Sequence, residues 1–278
     1  MHARRLVLLL IPLLFAQLTG CASLWHNQDT HAQSGSAVEY LFPDAKQSPA
    51  LAPGMTTLPV PVKVGIAFAP PGQWGAGLPE QQKTLLLEKV KGNFASLPYV
   101  GKIEVIPSSY LRAKGGFANL EQVARMFDVD VVALVSYDQV QFVDNGVLSM
   151  LYWTIVGAYV IQGDRYDVQT MVDAAVFDVA SHKLLFRAPG TSRIKGSSTL
   201  VNFSEASRDA RSAGFNAAVD DLIPNLKGEL ERFRARIKTD STVQVVNRPG
   251  YSGGGGIGLG GVLIAAGLLI LIGLSRRP

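Results

Sequence analysis

Val129-Asp130-Val131-Val132-Ala133-Leu134-Val135-Ser136-Tyr137 is a nine-residue run with one charge and six aliphatic side chains. Its β-branched residues follow one another almost without interruption, the pattern of a strand covered on both faces. Such a strand needs a layer on each side. Before it, Val62 to Ala69 reads as a second buried strand, ended by Pro70-Pro71. Pro79 and Glu80 suit the first turn of a helix with Leu85, Leu86, Val90 and Phe94 on one face. Ile103 to Ile106 is a short strand stopped by Pro107. Asn119 and Gln122 have the spacing of a capping box, and Leu120, Val123, Ala124 and Phe127 follow a helical period.

After the central run, Val168 to Val179 alternates and turns through Ala180-Ser181-His182 into Lys183 to Arg187, a hairpin pattern. A further strand is expected near Thr191 to Gly196. Asn202 and Glu205 are placed to cap a long final helix, along which Val219, Leu222, Leu226, Leu230 and Phe233 form a stripe. The order β-α-β-α-β-β-β-α predicts one α/β (α+β) domain over 62–240, a mixed sheet with packed helices. An N-terminal signal and tether (1–20 and 21–61) precede it. A Gly-rich linker (241–256) and a C-terminal transmembrane helix (257–278) follow.

The chain has 278 residues, 26 basic against 22 acidic, a net charge of +4, 47% hydrophobic and 17% charged residues. Few charges and many aliphatics exclude a disordered chain. A single cysteine excludes an intramolecular disulfide framework. The basic excess lies entirely in Arg4 and Arg5 before Cys21 and in Arg276 and Arg277 at the other end, so Ala22 to Ser252 is neutral. A neutral body without interleaved aromatics argues against nucleic acid as a partner.

Arg4 and Arg5 followed by the ten apolar residues Leu6 to Phe15 form the n- and h-regions of a secretory signal. Leu18-Thr19-Gly20-Cys21 comes next and resembles the lipobox of bacterial lipoproteins. That resemblance implies cleavage between Gly20 and Cys21, lipidation of Cys21 (diacylglycerol and an amide-linked acyl chain such as palmitate), and action by the lipoprotein-processing enzymes. Two or three acyl chains would hold the chain on a membrane almost permanently. The absence of Asp at position 22 implies sorting to the outer membrane.

At the other end, Gly253-Gly254-Gly255-Gly256 precedes Ile257 to Leu274, eighteen uncharged residues closed by Ser275-Arg276-Arg277-Pro278. Such a helix spans about 27 Å, enough for a bilayer core. The pattern resembles the GlyGly-CTERM sorting signal cut by rhomboid-family proteases called rhombosortases. Together the two ends resemble the rhombotarget lipoprotein family. The resemblance implies processing at Gly253, Gly254, Gly255 or Gly256. A permanent tail anchor is the alternative, with the glycines serving helix packing. The hairpin phrase Phe177 to Phe186 is also similar to periplasmic domains of the curli-secretion lipoprotein and the lipoprotein activators of penicillin-binding proteins, which implies a protein-binding or pore-forming role.

Between these signals the body offers little chemistry. His26 and His31 read as solvated tether residues, and His182 as an exposed turn residue. The acid pairs Asp128/Asp130, Asp164/Asp167 and Asp220/Asp221 are the only candidates for acid–base work or cation binding, and no nucleophile, metal or cofactor motif appears. Val147 to Ile161 is uncharged for fifteen residues and holds Tyr152, Trp153 and Tyr159, which suit a membrane interface or a partner surface, or else a core element. The expected protein is therefore a non-catalytic lipoprotein of the bacterial envelope. It needs no metal or cofactor and acts on an envelope protein partner or as a homo-oligomer. An envelope enzyme with an acidic site assembled only by the fold is the alternative.

Overall fold

The computed structural model describes residues 29–43, 55–70, 77–145, 164–199 and 201–251, and the apolar run of 129–137 opens the strand at the centre of its main sheet. That strand, β5 (Val131–Asn145), is preceded by β1 (Thr30–Gln33), α1 (Ala37–Leu41), β2 (Thr56–Val60), β3 (Val62–Phe68), α2 (Glu80–Phe94), β4 (Val100–Val105) and α3 (Gly116–Phe127). It is followed by β6 (Asp164–Asp178), β7 (Leu184–Ser198), α4 (Phe203–Arg236) and β8 (Val243–Asn247). Within 62–240 the order is the expected β-α-β-α-β-β-β-α, and the class is a mixed α+β fold.

The main sheet runs β4-β3-β5-β6-β7. β3 lies parallel to both β4 and β5, while β6 and β7 continue antiparallel. Parallel neighbours require crossovers, and right-handed crossovers in opposite directions across the sheet put their helices on opposite faces. One core accordingly lies between the sheet and α2 with α4, where Val131, Ala133, Val135 and Val176 meet Val90, Leu222, Leu226 and Phe233. The other lies under α1 and α3, where Val132, Leu134 and Phe177 meet Tyr40, Leu41, Leu120 and Val123.

β5, β6 and β7 are each 15 residues long, about 50 Å of strand. α4 has 34 residues, also about 50 Å, and lies along β6 and β7. Gly190 permits its close approach, because a Cβ there would run into the Ala218 carbonyl and the backbone of Leu222.

Several expectations are corrected. The central strand does not stop at Tyr137 but continues to Asn145, and Thr191 to Gly196 belongs to the same strand as Leu184 to Arg187. Leu87, not Leu85, faces the core; Leu85 is exposed. α3 begins at Gly116, so Asn119 lies inside it and caps nothing: buried, it accepts from the Arg112 amide at 2.8 Å and the Tyr40 hydroxyl at 3.0 Å.

Part of the span 21–61, expected to be a tether, is folded onto the domain. β1 pairs antiparallel with 138–141 of β5, on the edge that β3 leaves after Val135. Ser36 caps α1 by accepting from the Glu39 amide at 2.9 Å, and Tyr40 and Leu41 are buried. The domain also extends past 240, because β8 pairs parallel with β2.

Candidate functional site

The long hairpin gives the molecule two ends. At the near end β5 starts, β6 finishes and the 178–183 turn leads into β7. The Asp130 carboxylate accepts from the Lys63 amide at 2.8 Å and from Arg248 Nη2 at 2.6 and 2.7 Å. Arg248 also donates through Nε to the Pro61 carbonyl at 3.0 Å. This clamp fixes the end of β8 beside the start of the central strand, and Tyr251 adds a bond to the Pro98 carbonyl at 2.9 Å. In the turn, Asp178 accepts from the Ser181 amide at 2.8 Å. His182, expected to be exposed, is half-buried: its ring stacks on Phe117 at 4.1 Å and Nε2 lies 2.7 Å from Glu121 Oε1.

At the far end β5 leaves at Asn145 and β6 returns at Asp164. The chain entering β1 arrives at this same end, where Asp29 accepts from the Val143 amide at 3.1 Å. His31 is therefore part of the sheet rather than of a solvated tether, with Nε2 2.6 Å from Asp138 Oδ1. Between this end of the sheet and the first half of α4 the packing is polar. Gln139 donates to Thr170 Oγ1 at 2.7 Å and to the Arg211 carbonyl at 2.9 Å, and Arg211 donates to Gln141 Oε1 at 2.9 Å. Burial, and then the neighbouring Arg208 charge, lower the pKa of Arg211. Gln139 Oε1 is buried with no partner among the described residues.

The acid pairs do not converge. Asp128 ends α3 in the left-handed conformation that Asp tolerates, and its salt bridge to Lys63 holds the carboxyl below its usual range. Asp164 and Asp167 lie within β6 rather than flanking a turn; Asp167 pairs with Arg193, whose hydrogen bonds lower its pKa. Asp220 pairs with Lys89 at 2.7 Å, and Asp221 accepts from the Thr191 amide at 2.9 Å. Among the described residues no three His, Cys, Asp or Glu side chains are placed to hold a metal ion, and none of their helices is long and apolar enough to cross a membrane.

Gly20, Cys21, Tyr152, Trp153, Tyr159, Gly253, Gly254, Gly255 and Gly256 lie outside the described residues, as does the helix expected over 257–278. The Asp130–Arg248 clamp was not foreseen, since its partners are 118 residues apart. The polar seam had a signal in Gln139 and Gln141, which alternate with Val140 and Phe142.

No protein-family model and no curated protein matches the chain. Among solved structures, a neuraminyllactose-binding hemagglutinin homolog from Helicobacter pylori aligns at 9% identity and a TM-score of 0.37, covering 71% of this chain and 96% of that one. The PelC dodecamer from Paraburkholderia phytofirmans aligns at 14% identity and a TM-score of 0.26, covering 71% and 96%. Lipoprotein GNA1162 from Neisseria meningitidis aligns at 14% identity and a TM-score of 0.25, covering 56% and 96%. Likenesses this distant carry no argument about function.

Proposed function

We propose that this chain is a non-catalytic lipoprotein of the bacterial cell envelope that binds or assembles with other envelope proteins. On this reading it is lipidated at Cys21, cut near Gly253–Gly256 by a rhombosortase-type protease, and retained at the outer membrane by its acyl chains. One observation supports it most. Asp29, eight residues after Cys21, is held at Val143, beside the end where β5 departs and β6 returns. The far end of the hairpin thus brackets the uncharged stretch Val147 to Ile161 and also receives the chain coming from Cys21. Tyr152, Trp153 and Tyr159, within that stretch, are the proposed contact residues for a membrane or a membrane-bound partner.

Top-down mass spectrometry of the protein from native membranes tests the reading. The expected species carries acyl chains on Cys21 and ends near Gly253–Gly256. An unmodified Cys21, or a species still carrying Leu271 to Arg276, overturns the corresponding part.

A further inference from the structure

The near half of the molecule holds an apolar cavity of about 130 Å³ between the sheet and the helix pair α2/α4. Its floor includes Val64, Val131, Ala133 and Val176, and its roof includes Val90, Phe94, Leu226 and Phe233; Tyr99 closes one end. Above it, polar bridges link α2 and α4, Lys89 to Asp220 at 2.7 Å and Lys227 to Asn93 at 3.1 Å.

The cations around it are arranged in an ordered way. Lys227 lies over the Phe94 ring at 5.8 Å, Arg234 over Tyr99 at 4.3 Å and Arg236 over Phe233 at 5.5 Å. These are all the cation–π contacts among the described residues, and every one falls on an aromatic wall of this cavity. Arg234 pairs with Glu231 at 3.0 Å, and Lys91, another wall residue, pairs with Glu88 at 3.2 Å. Lys227 and Arg236 instead donate to neutral oxygens, those of Asn93 and of the Leu185 carbonyl.

An apolar hollow with cations at its edge matches a molecule with an apolar tail and an anionic head. We infer that this cavity takes the tail of an anionic amphiphile, with the head at Lys227, between α2 and α4. Comparable apolar cavities of about 150 Å³ accept benzene, so the tail it holds is about six to eight carbons long. The assignment is independent of how the two chain ends are processed.

Titration of the full chain in nanodiscs of zwitterionic lipid with a series of straight-chain carboxylates tests it. From butanoate to hexanoate each methylene should tighten binding about fourfold, with the gain ending near octanoate. Octanoate should bind more tightly than octanol, and Lys227→Gln, at an exposed position, should weaken octanoate about threefold and leave octanol unchanged. Ala133→Leu should fill the cavity and abolish binding of both. Equal affinity for octanol and octanoate, a flat chain-length series, or full binding by a folded Ala133→Leu protein would each overturn the assignment.

Discussion

Between Val131 and Tyr137 both faces of β5 are covered, by α2 and α4 on one side and by α1 and α3 on the other, whereas from Asp138 onward, among the described residues, only the first half of α4 remains. The covered half reads as a continuous aliphatic run. In the other half the usual alternation is inverted: Gln139 and Gln141 are buried at 1% and 2%, and Phe142 is 44% exposed. The part of α4 that faces these glutamines presents Ser207, Ala210, Arg211 and Gly214, small or polar residues that bring helix and sheet backbones together. A single strand therefore passes from a core held by volume to a seam held by hydrogen bonds.

The sharpest way to break this contrast is to delete a large side chain from each half. Leu134→Ala, at a fully buried position under α3, should cost about 3 kcal/mol, and Phe142→Ala less than about 0.5 kcal/mol, in urea unfolding. Comparable losses would show that the far half is covered by something else.

A smaller effect should come from the attachment of α2, the lid of the covered half. Burial raises the Glu80 carboxyl, but hydrogen bonds from the Ser108 hydroxyl and amide and the Lys83 charge outweigh it, so its pKa is lowered from 4.5. A carboxyl lowered by folding adds stability above its ordinary value and loses it as pH falls through the lowered one. Glu80→Gln should therefore flatten the fall of the urea midpoint below about pH 4.5. Identical acid limbs in the two proteins would remove Glu80 as an anchor.

The least effect is expected where the far half is most polar. Gln139→Leu combined with Thr170→Val removes both side-chain partners and the unpaired Gln139 Oε1 together, and should change stability by no more than about 1 kcal/mol. A loss of several kcal/mol would mean that the seam acts as a connected network.

The same contrast accounts for what could be read in advance. The run at 129–137 and the stripes of α2 and α3 were legible because burial on both sides leaves an unbroken apolar record. Asp138 to Asn145 was not, because polar residues face inward there and the period suggests a surface. Thr191 to Gly196 looked separate from Lys183 to Arg187 because Pro189 and Gly190 interrupt the pattern, although Gly190 is what lets α4 lie on the strand. β1 left no mark in composition, since Thr30 to Gln33 is held mainly by backbone pairing to β5. The cavity depends on the spacing between two helices, and residue type alone does not encode that.

Asp29 is held at Val143 and Arg248 at Asp130, so the two departures are separated along β5 by thirteen residues, about 43 Å. Asp29 and Arg248 are thus pinned to opposite ends of one strand, so a force drawing them apart would load β5 along its length, in shear.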